Sequence, residues 1–178
     1  MERLKGILMI VIGAMLWGMT GSIMEWMLAN TELSVPFILS IRMMIAGSSI
    51  LVFLAIKKED IFTVVKTPYW RNQLIVFSIL GMVGLQYTFT MAIEASNAVV
   101  ATLLQFSAPI FVVLYVSYNH KKWPPRYQIL GIAGTLAGLF LLLTNGSISN
   151  LLVSPAALLW GVAVGLTFAF YTLYPARL

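Results

Sequence analysis

Three ionisable residues stand inside long apolar runs, where a charged side chain is costly unless it has a partner. Glu25 lies near the end of the first run, Arg42 lies inside the second, and Glu94 lies at the end of the third. Arg42 is about 10 Å from the start of its run at the helical rise of about 1.5 Å per residue. We therefore expect Arg42 to form an ion pair with Glu25 or Glu94 in a charged outer vestibule at the mouth of a cavity, or as a contact that fixes helix packing. The alternative is an Arg42 side chain that extends to water. Desolvation of the Glu25 or Glu94 carboxylate would favour proton uptake by that group.

Aromatic and polar side chains recur at helical spacing in the same runs. The residues singled out are Trp17, Tyr87, Gln105 and Trp160. Amide and hydroxyl groups in such runs turn away from hydrocarbon, because hydrocarbon offers them no hydrogen bonds. Aromatic walls with a few amide groups suit a planar or cationic small molecule, held by stacking or cation–π contacts. These residues are predicted to line a substrate cavity; interhelical hydrogen bonding and aromatic anchoring at an interface are the alternative.

The sequence lacks the patterns that most catalytic and cofactor sites require. It contains no cysteine and a single histidine, His120, which lies in a Lys-rich segment between apolar runs. These counts argue against a thiolate metal site, a cysteine nucleophile and a histidine base within a helix. The sequence also has no GxxxxGK[ST] segment that would bind ATP phosphates. We expect neither an enzyme nor a resident cofactor or metal.

The amino-acid composition indicates whether these residues lie in a water-soluble domain or in a lipid bilayer. Hydrophobic residues make up 60 % of the 178 residues and charged residues 10 %, with a mean hydropathy of +0.93. A soluble domain of this length has too little interior to bury so much apolar surface, and disordered chains are poor in apolar residues. The chain is therefore predicted to lie in a lipid bilayer.

Six segments have the roughly 20 apolar residues that a membrane-crossing helix needs. They are Gly6–Ala29, Val35–Ile56, Gln73–Ser96, Ala98–Tyr118, Tyr127–Thr144 and Pro155–Tyr174. Unbroken apolar runs do not alternate as the strands of a membrane barrel would. The predicted fold is an all-α membrane protein, a bundle of six transmembrane helices.

The positions of the basic residues predict the orientation. All Lys and Arg residues except Arg42 fall at the two termini or in the loops after the second and fourth spans. Such loops face the cytoplasm, so both termini are expected on the cytoplasmic side of the cell membrane. Arg42, Glu25 and Glu94 are then expected on the outer side. This distribution explains the net charge of +5 without a nucleic-acid partner. Contact with anionic lipid headgroups remains compatible with it.

A short repeat suggests an inverted architecture. Leu16–Gly18 and Leu159–Gly161 both read Leu-Trp-Gly and are separated by five predicted spans. An odd number of crossings places the second copy upside down in the membrane. Inverted repeats with a substrate site near the midplane are typical of secondary transporters.

The order of these features resembles the EamA-like members of the drug/metabolite transporter superfamily. The resemblance rests on the Trp-Gly pair of the first span, Arg42 in the second, Gly81–Gly84 in the third, Pro109 in the fourth and Gly131 in the fifth. It implies that residues 6–145 form one five-helix unit and that residues 155–178 begin a second. The chain would then be the N-terminal part of a ten-helix carrier with two inverted units around a central cavity.

The resemblance also implies alternating-access transport of a metabolite or drug, of the amino-acid, nucleobase or amine class. Pro109 would serve in such a carrier as a hinge of the fourth helix, or as a static bend. One departure is Asn119-His120, where the family commonly has an acidic residue. The expected partners are a small-molecule substrate, the lipid bilayer, and either the missing C-terminal helices or a second copy in a dimer. The alternative is a non-transporting or truncated subunit that assembles through glycine faces such as Gly134–Gly138 and Gly161–Gly165.

Overall fold

The computed structural model describes residues 2–59, 65–144 and 153–177, and all regular structure in these residues is helical. The helices are α1 (Glu2–Asn30), α2 (Val35–Ile56), α3 (Pro68–Ala95), α4 (Ala98–Gln105), α5 (Ala108–His120), α6 (Arg126–Thr144) and α7 (Pro155–Leu173). A short 3₁₀ turn follows α7. Residues 145 and 178, at which the two predicted units end, lie outside the described residues, as does most of the predicted loop before α7.

Five described segments are long and apolar enough to cross a membrane. They are Leu4–Asn30, Val35–Ile56, Pro68–Ala95, Ala98–His120 and Pro155–Leu173. The fifth predicted span falls in α6, whose apolar stretch Arg126–Leu141 is shorter than the other five. The predicted all-α membrane bundle of six helices is confirmed, with α4 and α5 as the two halves of one span.

Prolines and capping side chains set the starts of the helices. The first turns of α2, α3, α5 and α7 contain a proline, whose missing N–H has no partner in a first turn anyway. Asn97 caps α4 by accepting from the Val100 N–H at 2.9 Å. Ser154 caps α7 by accepting from the Ala157 N–H at 3.1 Å. Each cap satisfies a backbone donor that the helix itself leaves free.

Two spans depart from regular α-helix. Residues Phe77–Val83 of α3 form a π-helical segment, a local widening that is frequent at functional sites. The fourth span breaks at Phe106 and Ser107, just before Pro109. The Pro109 nitrogen cannot donate to a carbonyl in the preceding turn, which accounts for the break. The helix is thus interrupted next to Pro109; its use as a hinge stays a prediction.

Within the described bundle, α7 packs against α3, α4 and α5. Its glycines permit very close approach of the fourth span. A Cβ added to Gly161 would lie 2.8 Å from Leu104 Cβ, and one added to Gly165 would lie 2.8 Å from Phe111 Cε2. Small residues allow such contacts in lipid, where helix association depends on packing. Gly161 and Gly165 thus pack against the fourth span of the same chain.

A second set of glycines lies on open helix faces. A Cβ at these positions would meet no described atom within 4 Å: Gly6, Gly13, Gly18, Gly131, Gly134 and Gly138. Gly134 and Gly138 therefore make no close helix contact among the described residues, where α6 packs mainly against α5; assembly through this face stays a prediction. The glycine spacing alone did not distinguish a packed face from an open one.

Hydrogen bonds at both ends show that α3 and α7 run in opposite directions. The Ser154 hydroxyl, just before α7, donates to the carbonyl of Ala95 at the end of α3 at 3.3 Å. At the other end, the Tyr174 hydroxyl donates to Gln73 Oε1 near the start of α3. Increasing residue numbers in α7 thus meet decreasing numbers in α3.

The same reasoning gives the direction of α1 relative to α7. Trp17, in the middle of α1, contacts Phe168 in the second half of α7. Further along α1, the Glu25 carboxylate accepts from the Ala98 N–H at 2.9 Å. Ala98 lies beside the end of α3 that meets the start of α7, so the two Leu-Trp-Gly helices run in opposite directions, as an odd number of crossings requires.

Candidate functional site

Two of the four predicted cavity residues touch each other. Trp160 on α7 meets Tyr87 on α3 edge to face, with ring centroids 5.9 Å apart and an interplanar angle of 81°. This geometry places the electron-poor edge of one ring against the electron-rich face of the other. Beyond this pair, the Thr88 and Thr167 hydroxyls lie 3.0 Å apart and join the same two helices. The interface of α3 and α7 is thus both aromatic and polar.

Trp17 does not join that aromatic pair. Its ring packs edge-on against Phe168 of α7, with centroids 6.4 Å apart. It also lines a groove of about 260 Å³ between α1 and α4, whose floor includes Gly21 and Ala98. Trp17 is 50 % exposed in this groove. The structure therefore places Trp17 next to α7, in a groove whose lining includes neither Tyr87 nor Trp160.

Gln105 is the last residue of α4 and lies at the break in the fourth span. Only 7 % of its surface is exposed, and its side chain has no hydrogen-bond partner among the described residues. The preceding residue, Leu104, packs against Gly161, the neighbour of Trp160. Pro109 has no N–H to offer the Gln105 carbonyl. The largely buried Gln105 side chain is therefore a candidate for contact with a ligand.

The predicted ion pair of Arg42 is wrong for the described residues. Glu25 is engaged elsewhere, because its carboxylate accepts the Ala98 N–H at the start of α4. Glu94 is exposed at the end of α3 and has no hydrogen bond or ion pair there. Arg42 is partly buried in a groove between α1 and α2 with no carboxylate in its lining. The physical reason is that a helix N-terminus, with its free N–H groups and positive dipole end, competes for Glu25.

Sequence reasoning missed an aromatic cluster at the other end of α7. Phe77 of the π-helical segment stacks on Tyr171 and Tyr174, with centroids 5.4 and 6.2 Å away. Nearby, a cavity of about 400 Å³ separates α5 from α7, and Phe111 and Tyr174 contribute to its walls. A single aromatic residue in an apolar run carries no periodic signal, so nothing in the sequence distinguished Phe77.

Phe168, the partner of Trp17, could have been found from the sequence. A four-residue period from Trp160 passes through Val164, which is fully buried, and then Phe168. Thr167 stands beside this stripe, but its partner Thr88 does not follow from the spacing of α3 alone. Pairing between helices depends on their relative rotation, which one helix pattern does not specify.

The described residues show no cluster of three or more His, Asp or Glu side chains that could hold a metal ion. The arrangement offers aromatic faces, a buried amide, hydroxyls and one guanidinium inside a helical membrane bundle.

A model of the EamA-like transporter family matches residues 4–144 of the chain. The chain belongs to the EamA-like transporter family.

Two curated relatives are similar to this EamA-like chain over nearly its whole length. The first is YicL of Salmonella typhimurium strain LT2, which is named an uncharacterized inner membrane transporter. It is 36 % identical over 174 residues, which cover 98 % of this chain and 58 % of YicL. The second is named an uncharacterized transporter, YwfM of Bacillus subtilis strain 168, 28 % identical over 168 residues that cover 93 % of this chain and 53 % of YwfM. The chain thus spans somewhat more than half the length of these relatives. No solved structure matches it.

Family membership and the apolar helices together identify an integral membrane protein of a transporter family. The family and the names of both relatives point to a transporter rather than an enzyme. The predicted resemblance to EamA-like transporters is confirmed. The roles of the individual site residues stay predictions.

Proposed function

We propose that this EamA-like chain acts in secondary transport of a small organic solute across the cytoplasmic membrane. The observation that carries the proposal is the Tyr87–Trp160 contact at the interface of α3 and α7. The end of α4, where Gln105 lies, packs beside Trp160 through the contact of Leu104 with Gly161. The solute class is an amino acid, a nucleobase or an amine. Both termini would face the cytoplasm, as the basic loops predict.

The chemistry of these side chains supports that class of solute. An aromatic face attracts a planar ring by stacking and an ammonium or guanidinium group by cation–π interaction. The Gln105 amide offers both donors and an acceptor, so it can orient a polar group of the solute. In a dry, low-dielectric site each of these interactions is stronger than in water. The combination favours a flat or cationic organic molecule over an inorganic ion.

The fold also supports alternating access. Transporters of inverted construction commonly place discontinuous helices at the substrate site, because unwound backbone presents free polar groups there. The break at Phe106 and Ser107 supplies such a discontinuity, and α7 packs directly beside it through Gly165. Movement of α7 against the two halves of the fourth span would open the site to either side. Closely packed, rigid interfaces of this kind switch between discrete arrangements.

Uptake into proteoliposomes tests the proposal. The purified 178-residue chain is reconstituted and supplied with radiolabelled aromatic amino acids, nucleobases and organic amines. Trp160→Leu is expected to raise KM about two- to tenfold, the value of one aromatic contact, and Gln105→Leu about tenfold or more. Trp123→Leu is the matched control, because Trp123 is 92 % exposed in the loop before α6. Absence of uptake for every compound class, or equal effects of Trp123→Leu and Trp160→Leu, would contradict the proposal.

The open glycine faces of α1 and α6 favour a second candidate function, that of a non-transporting membrane subunit. Gly13, Gly134 and Gly138 meet no described atom within 4 Å, and such faces promote close helix association in lipid. In that case the chain would assemble with further helices, in a second copy or another chain. Cross-linking in native membranes distinguishes the two: a glycine-dependent complex together with no uptake supports the subunit.

A further inference from the structure

The α1–α2 pair carries a groove that the proposed transport site does not use. Its volume is about 430 Å³, and its walls are almost entirely apolar. Met24 and Met27 line it from α1, and Ile38 and Ile45 line it from α2. Methionine side chains adapt to irregular, flexible apolar partners. The groove therefore has the shape and lining for an aliphatic chain.

Arg42 is the sole charged residue in the lining of this groove. Side chains on a helix lean toward its N-terminus, so the Arg42 side chain leans toward the end where α1 and α2 are joined. Arg42 lies about 10 Å along α2 from Val35, at the helical rise of about 1.5 Å per residue. A long side chain at this depth reaches the membrane interface while its stem stays among apolar groups.

The described residues provide no anion for this guanidinium. The one other polar side chain in the lining, Thr20, uses its hydroxyl to donate to the Leu16 carbonyl at 2.8 Å. Glu25 is bonded to the start of α4, and Glu94 makes no ion pair with Arg42. An arginine inside a membrane is costly without an anion. An anionic group on another molecule would offset this cost.

We infer that the α1–α2 groove binds one anionic phospholipid, with its phosphate on Arg42 and an acyl chain along Met24, Met27 and Ile45. Phosphate matches the planar fork of a guanidinium, which donates two parallel hydrogen bonds to it. The apolar walls make van der Waals contacts along the acyl chain. Because the lining contains no carboxylate to pair with an ammonium group, an anionic headgroup such as phosphatidylglycerol is favoured over a zwitterionic one. This site is independent of the transport proposal.

Native mass spectrometry tests the inference. The full chain is released from micelles that contain equal amounts of phosphatidylglycerol, phosphatidylethanolamine and diacylglycerol. The wild-type chain is expected to retain one phosphatidylglycerol. Arg42→Met is expected to lower its retention at least about tenfold, the effect of one charged hydrogen-bonded contact. Arg71→Met is the control, because Arg71 is an exposed arginine near the start of α3, outside the groove.

Two further variants keep the test informative if Arg42→Met does not fold. Arg42→Lys keeps the charge but loses the fork, so its retention should be intermediate. Ala46→Phe fills the groove beside Arg42, so it should lose the lipid although the charge remains. Equal retention by wild type and Arg42→Met, or equal retention of all three lipids by the wild type, overturns the inference. So does displacement of the lipid by inorganic phosphate alone, or a lipid-free dimer that covers the groove.

Discussion

Replacing Gly161 with alanine is expected to force apart the closest helix pair in the bundle. The new Cβ would lie 2.8 Å from Leu104 Cβ and 2.9 Å from Leu104 Cγ. Carbon atoms prefer about 3.5–4.0 Å, so α7 and α4 would have to separate by roughly 0.6–1.2 Å. Overpacking of this size costs about 1–3 kcal/mol. The folded fraction relative to the unfolded would fall about fivefold for the first kcal/mol alone.

Thermal unfolding of the purified protein in lipid–detergent micelles measures this effect. A change of 1 kcal/mol shifts the Tm of a 150–250-residue domain by about 2–4 °C. The matched control is Gly134→Ala, because Gly134 meets no described atom within 4 Å. That variant should unfold at or slightly above the wild-type temperature, since alanine favours helix over glycine by about 0.5–1 kcal/mol. Equal Tm values for Gly161→Ala and Gly134→Ala would refute the argument from close packing.

Three further substitutions test the fourth span and its contacts. Glu25→Ala should destabilise the protein by about 1.5–3 kcal/mol in thermal unfolding, through the lost charged hydrogen bond to α4; Glu94→Ala, at an exposed site, should stay within about 0.5 kcal/mol of wild type. Asn97→Ala should cost about 0.5–2 kcal/mol as a lost helix cap and speed hydrogen exchange of the Val100 amide. Pro109→Ala supplies an N–H to the carbonyl four residues earlier, so backbone exchange at the break should slow. Unchanged exchange in the last two variants would contradict the assigned cap and break.

The helices and their number follow from the sequence because bilayer thickness imposes a minimum length on every span. Val35–Ile56 matches α2 at both ends, since a proline marks its start and a lysine pair follows its end. The third span begins earlier than predicted, at Pro68, because a helix continues through polar residues beyond the apolar run. The π-helical segment Phe77–Val83 has no sequence pattern of its own.

Only part of the candidate site could be predicted from the sequence. Tyr87 and Trp160 were predicted to face a common cavity, and their rings are in contact. Trp17 fits that prediction less well, because its ring contacts Phe168, two turns beyond Trp160 on α7, and not the Tyr87–Trp160 pair. The predicted ion pair of Arg42 was wrong, because opposite charges identify possible partners but do not give the distances between them. The Glu25 carboxylate instead accepts the Ala98 N–H at the start of α4, a contact that only the packing of α1 against α4 shows.

The polar groups inside this bundle fall into two sets with different expected costs of removal. Thr88 and Glu25 have partners on another helix, so their loss should lower stability. Gln105 and Arg42 have no partner among the described residues, so the folded state already bears the desolvation of these groups. Apolar replacements such as Gln105→Leu should leave the Tm unchanged or raise it, while binding weakens. A joint loss of Tm and binding in Gln105→Leu would instead assign this amide a structural role.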